Sequence, residues 1–144
     1  MKLIVFSLIL IFSGSIKQYH EEQFHIYGGK NHDQYLGCLT CGDDQLKSIW
    51  CTFGDYGSRH MPKAIWNELG KYGSASSQYS PFNENAKYPP IILDDHKRFC
   101  GYLTVNKNNQ QRCKNYVAGQ ICASSDQIRD DIKAWYDWFV VRYY

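Results

Sequence analysis

The chain has little charge of either sign in any one place. Its 16 Lys and Arg and 14 Asp and Glu are scattered over 144 residues, for a formal net charge of +2. Without a basic block there is no electrostatic footprint for nucleic acid, and without an acidic tail there is no signature of a disordered solvating segment. After residue 12 no second long apolar run occurs, so the rest of the chain offers no stable membrane span. The sequence also lacks a G-x-S-x-G elbow, a phosphate loop, a dinucleotide fingerprint and a βαβ pattern. These absences leave no catalytic residue to name and no cofactor to expect.

What is present is apolar and aromatic. Hydrophobic residues make up 44% and aromatics 16%, enough for the single core that this length suggests. Lys2 followed by the apolar stretch 3–12 and then Ser13-Gly14-Ser15 has the pattern of a secretory signal peptide over 1–15. The expected compartment is secreted or periplasmic. Losing Lys2 would lower the net charge from +2 to +1, so the exported chain is close to neutral.

Six cysteines follow: Cys38, Cys41, Cys51, Cys100, Cys113 and Cys122. In an exported chain this even number reads as up to three disulfides, with Cys113–Cys122 suggested by locality. Cys38-Leu-Thr-Cys41 has C-x-x-C spacing, but the βαβ context of a redox dithiol and the second pair of a zinc site are both missing. Structural bridges are the better reading.

The middle of the chain, 48–90, repeats three times with a period of 16 residues. Trp50, Trp66 and Phe82 align, as do Tyr56, Tyr72 and Tyr88; Gly54, Gly70 and Ala86 align, then Gly57, Gly73 and Pro89. Leu46, Ile49, Trp50 and Phe53 fall on one helical face, as do Ile65 and Leu69, and Gly54 and Gly70 are placed to stop a helix. Each block therefore reads as a short helix, a glycine stop, a tyrosine and a turn, packed inward through Trp50, Trp66 and Phe82.

Around the repeat, residues 16–35 read as a flexible lead-in with room for a short strand at 24–27, and 36–144 as one globular domain. Residues 35–41 suggest a strand. Residues 91–93 and 99–105 flank the polar stretch Asp94-Asp95-His96-Lys97-Arg98, a β-hairpin pattern. Ser124 and Gln127 resemble a capping box for an amphipathic helix over about 125–142, carried by Ile128, Ile132, Trp135 and Phe139. The expected fold is a small disulfide-braced α+β domain of helix-turn repeats, a hairpin and a C-terminal helix.

Residues 35–104 resemble a family of mostly uncharacterised exported bacterial proteins. Its members carry a Leu-Gly-Cys-Leu-x-Cys lead-in, tandem Ser-Ile-Trp/Phe-Asn-Glu-Tyr-Gly-x-Tyr-Gly-Ser blocks, a Pro-Pro-x-Ile/Val-x-Asp turn and an aromatic-Gly-aromatic-Leu-Thr strand. Here these parts are 36–41, the three blocks, 89–94 and 99–104. The resemblance brings no catalytic residues to carry over. Cys51 stands where the pattern has Asn, Leu69 where it has Tyr, and Asn85-Ala86 departs in the third block.

The chemistry these residues could perform is limited. His20 and His25 are five apart, which rotates them away from each other on a helix, unlike the four-residue spacing of zinc-protease histidines. Asp94, Asp95 and His96 could hold a cation or act as acid and base, but no glycine-punctuated calcium loop surrounds them, and they suit a turn. The aromatic series offers rings that could stack on a polymer, and the weak binding candidates are Tyr56, Tyr72, Tyr79 and Tyr88. The sequence therefore favours a non-enzymatic module that binds an extracellular or envelope ligand, a glycan or a surface protein. The alternatives are a small hydrolase or toxin using carboxylates near the hairpin (Asp94, Asp95, Glu68, Glu84 or His96), and an inhibitor-type protein.

Overall fold

The computed structural model describes residues 21–143. The signal-peptide stretch and His20 lie outside them. Among the described residues the fold is α+β: a four-stranded antiparallel sheet, a long ribbon of turns, and two C-terminal helices. No helix among them is long and apolar enough to cross a membrane.

The strands are β1 (Phe24–Gly28), β2 (Gln34–Cys38), β3 (Ile91–Asp94) and β4 (Phe99–Tyr102), in the order β2-β1-β3-β4. The short strand allowed at 24–27 in the lead-in is present as β1 and is central in the sheet, so this part of the lead-in is not loose. The reason is its alternation: Ile26 and Gly28 point inward and are buried, while His25 and Tyr27 point outward. The β3–β4 hairpin turns through Asp94, whose carboxylate accepts the backbone N–H groups of His96 and Arg98 at 2.8 and 2.9 Å.

The expectation of short helices in the repeat is corrected. Residues 42–90 form consecutive tight turns instead. Every third residue donates its N–H to the carbonyl three before it: Cys51 to Ser48, Gly54 to Cys51, Met61 to Ser58, Ala64 to Met61, and onward at the same spacing. One four-residue step interrupts each round, Ser58 to Gly54 and Ser74 to Gly70. Four steps of three and one of four make the 16-residue period, and the bonds of the round 42–58 recur in the round 58–74.

Side chains explain why the chain turns rather than coils. Ser48, Ser58, Asn67, Ser74, Ser77, Ser80 and Asn83 stand at step positions, and each accepts the N–H two residues on. Such local bonds compete with a helix and favour turns. A three-residue step also replaces the 3.6-residue helical period. The expected helical faces consequently split, with Ile49, Trp50 and Ile65 fully buried while Leu46, Phe53 and Leu69 are exposed.

The aligned rings form one row through the core. The indole N–H of Trp50 donates to the Leu39 carbonyl at 2.7 Å and that of Trp66 to the Ile49 carbonyl at 2.6 Å. Trp50 and Trp66 lie 5.7 Å apart, and Phe82 stacks on Trp66 at 6.4 Å. Burial of rings this large with their polar N–H satisfied makes them dominant core residues. Arg129 caps the row, its guanidinium 4.6 Å from the Phe82 ring and donating to the Gly73 carbonyl.

The C-terminal helix begins earlier than expected and is two helices, α1 (Tyr116–Asp130) and α2 (Ile132–Tyr143). Asn115 rather than Ser124 is the N-cap, accepting from the Val117 and Ala118 N–H groups. Ser124 is a kink inside α1, at φ −136°, ψ 26°. Asp131 separates the helices and accepts the Ala134 N–H at 3.0 Å, capping α2.

The structure holds one disulfide, Cys38–Cys41, which closes the end of β2 beside the first turn. This is one of the up to three bridges that the cysteine count allowed. Cys51, Cys100, Cys113 and Cys122 are free thiols, so Cys113–Cys122 is not formed. Cys51 is fully buried at a step position inside the ribbon, away from solvent and oxidant.

Candidate functional site

The inner face of the sheet is closed by the ribbon. Ile26, Leu36 and Ile92 join the core, and Tyr72 packs beneath Gly28, where a Cβ would come within 2.5 Å of Leu36 and 3.1 Å of Tyr72. The outer face carries a different set of side chains. Register places Tyr27 opposite Tyr35 on β2 and Ile91 on β3, and Ile91 opposite Tyr102 on β4. A row Tyr35–Tyr27–Ile91–Tyr102 therefore crosses all four strands. A second row, His25–Leu93–Phe99, runs beside it. Phe99 is half exposed, and the other members of both rows are part-exposed.

Polar bonds hold these rings in place. The His25 Nδ1 lies 2.9 Å from the Tyr35 hydroxyl, and its Nε2 lies 3.1 Å from Asp95 Oδ1. The other Asp95 oxygen accepts the Gln23 N–H at 2.8 Å. Lys97 donates to the Tyr27 hydroxyl at 2.6 Å and places its ammonium over that ring. Tyr27 and Tyr35 meet edge to face at 5.3 Å, Phe99 and Tyr102 at 5.5 Å, and His32 and Tyr102 at 6.0 Å. Burial, then the neighbouring Tyr27, Tyr56 and Asp95, push the Tyr35 hydroxyl far above its ordinary pKa, so it stays a neutral donor.

At the β2 edge the face continues into a cleft of about 390 Å³. It is lined by Tyr35, Leu46, Lys47, Phe53, Asp55 and Tyr56. Tyr56 meets Tyr35 edge to face at 5.1 Å. Gly37 makes this approach feasible. It adopts φ +113°, and a Cβ there would lie 2.8 Å from both Ile49 Cγ2 and Tyr56 Cβ. Leu46 and Phe53, exposed at 64% and 75%, stand on the cleft wall as apolar side chains without a core role.

The four tyrosines picked from the repeat separate here. Tyr56 joins the cleft. Tyr72 is buried under the sheet. Tyr79 and Tyr88 stack on each other at 5.4 Å on the ribbon, with Lys71 over the first and Lys87 over the second. The carboxylates considered for catalysis are dispersed rather than paired. Asp94 is bound by Arg98, Asp95 by His25, and Glu68 by Arg59 and Arg129, while Glu84 is exposed on the ribbon. Glu22, Asp94 and His96 approach one another, but the Arg98 guanidinium already bridges Glu22 and Asp94.

Sequence reasoning missed Tyr27, Tyr35, His25 and Tyr102. The signal for His25 and Tyr27 was the period-two alternation on β1; Tyr35 and Tyr102 lie beside register shifts in β2 and β4, where simple alternation fails. Comparison with protein-family models, with curated proteins and with solved structures gives no match.

Proposed function

We propose that this protein is a non-enzymatic binding module acting outside the cytoplasm, and that it grips a glycan chain on the outer face of its sheet. The observation that carries this reading is the four-strand row Tyr35–Tyr27–Ile91–Tyr102, open on one side and continuous with the Tyr35–Tyr56 cleft. Aromatic faces are electron-rich and attract the C–H face of a pyranose, while neutral hydroxyls and an imidazole at the ring edges suit its hydroxyl groups. Ring platforms held by hydrogen bonds lose little conformational freedom on binding. The export signal and the resemblance to exported repeat proteins support a ligand of the cell envelope.

The test is sedimentation of the full mature chain with insoluble peptidoglycan, and with chitin as a second N-acetylated glycan. Binding to either, reduced about tenfold or more by Tyr35→Ala and Tyr27→Ala, is expected, which corresponds to about 1.4 kcal/mol or more. Binding untouched by these substitutions in a folded protein contradicts the placement. No binding to any glycan contradicts the ligand class.

A further inference from the structure

Three free thiols gather beside β4, the strand that carries Phe99 and Tyr102 of the proposed face. Cys100 is the extra residue where the β3–β4 register shifts, between the pairs Leu93–Phe99 and Ile92–Gly101. Its neighbour Gly101 adopts φ +130°, and a Cβ there would sit 2.5 Å from the Cys113 nitrogen and 2.6 Å from its Cα. The Cys113 N–H donates to the Tyr102 carbonyl at 2.8 Å, and the Tyr102 N–H to the Gln111 carbonyl at 2.8 Å. Cys100 is thus one residue along the chain from Gly101, whose backbone packs directly on that of Cys113; both cysteines are part-buried against the core, and the Cys100 thiol donates only a long bond, 3.5 Å, to the Arg98 carbonyl.

We propose that Cys100 and Cys113 are a modification site, closing a second disulfide that staples the aromatic end of β4 to the 104–113 loop. The oxidant is a disulfide, small or protein-borne. The thiolate of one cysteine attacks it, releasing one thiol and leaving a mixed disulfide. The second cysteine's thiolate then displaces the other half as a second thiol. Two protein thiols and one external disulfide become one protein disulfide and two external thiols, with both protons carried away on the leaving groups.

Cys122 is the competing partner, and its surroundings hold it back. It lies on α1 beside Cys113, and burial pushes its thiol pKa up to about 11 even with the Arg112 side chain donating to it. Burial also raises the Cys100 and Cys113 thiols, so what sets Cys122 apart is its deeper burial on α1 and the Arg112 side chain that engages its sulfur. Cys51, fully buried in the ribbon, is also out of reach. Closure would hold β4 and the Phe99–Tyr102 pair in place from the side opposite β3. This goes beyond the glycan reading and does not depend on it.

The experiment incubates the purified full chain with oxidised glutathione, blocks remaining thiols under denaturing conditions, and maps peptides by mass spectrometry without reduction. A Cys100–Cys113 peptide is expected, with Cys51 and Cys122 blocked as free thiols. The melting temperature should rise by a few degrees on oxidation. Neither change should appear in Cys113→Ser, while Cys122→Ser should retain both. A Cys113–Cys122 peptide, or free Cys100 and Cys113 after prolonged oxidation, overturns the proposal. If Cys113→Ser does not fold, Cys100→Ser gives the same readout.

Discussion

The ribbon and the sheet are built by opposite means. Along 42–86 the turns are closed by residues three or four places away, so the ribbon is specified locally, step by step. The outer face of the sheet is assembled from strands far apart in sequence, with Tyr27 meeting Ile91 and Lys97. Small residues at the steps let the ribbon close on itself, leaving its large rings for the core. The sheet buries Ile26, Leu36 and Ile92 and turns Tyr27, Tyr35, Phe99 and Tyr102 outward, with Ile91 and Leu93 between them. Regularity in this chain therefore marks the scaffold, and the candidate site sits on the irregular remainder.

The largest test of that contrast is Trp66→Ala. Trp66 is fully buried in the middle of the ring row, and its loss should cost about 3–5 kcal/mol in chemical denaturation. A cost below about 1 kcal/mol would show that the row is not the scaffold's centre. Gly73→Ala comes next. A Cβ there would lie 2.2 Å from the Asn67 carbonyl oxygen, a backbone atom that cannot swing away, so a loss of about 2 kcal/mol or more is expected. The same substitution at Gly119, which has open space around it, should be close to neutral or stabilising.

On the sheet side, Tyr27→Ala and Tyr35→Ala should leave most of the stability intact and remove binding. A smaller effect, and of opposite sign, is expected inside the ribbon. Asn67 donates from its amide to the Met61 carbonyl and accepts the Leu69 N–H; Asn83 does the same with Ser77 and Asn85. Cys51 holds the equivalent step and supplies neither bond. Its sulfur lies against Gly54 as the Asn67 amide lies against Gly70. Cys51→Asn should therefore raise stability by about 1 kcal/mol. A clear loss would mean that the steps are not interchangeable.

The smallest effect concerns acid. Burial raises the Asp94 carboxyl, but hydrogen bonds and charge from Arg98, with the His96 N–H, outweigh it and hold its pKa below the ordinary aspartate range. A lowered folded pKa stabilises the protein above the unfolded value, and that contribution disappears as pH falls through the folded one. Asp94→Asn should thus flatten the loss of stability below about pH 4 and leave the curve above it parallel to wild type. An unchanged acid limb would show that Asp94 is not the group involved.

Much of the scaffold was legible in the sequence. The spacing of Trp50, Trp66 and Phe82 identified the inward row, and the Asp94–Arg98 stretch identified the hairpin. The local conformation of the blocks was not. Leu46, Ile49, Trp50 and Phe53 fit a helical period by coincidence, whereas Ser48, Ser58, Asn67, Ser74, Ser77, Ser80 and Asn83 carried the real signal through their bonds to the N–H two residues on. The face was hidden for another reason. Tyr35 and Tyr102 acquire meaning only once β1 and β3 are paired, and pairing between 24–28 and 91–94 leaves no short-range trace. Tyr56 was found because it belongs to the repeat, and Tyr72 was chosen for the same reason although it is core.

The central claim is that binding lies on the outer sheet face and the adjoining Tyr35–Tyr56 cleft, and not on the Tyr79–Tyr88 part of the ribbon. Titrating the isotopically labelled full chain with a soluble N-acetylated glycan oligomer, and following side-chain and amide resonances by NMR, tests it most directly. The account predicts saturable shifts at Tyr27, Tyr35, Tyr56 and Tyr102 with Tyr79 and Tyr88 unmoved. Shifts centred on the stacked Tyr79–Tyr88 pair, with the sheet silent, would contradict it.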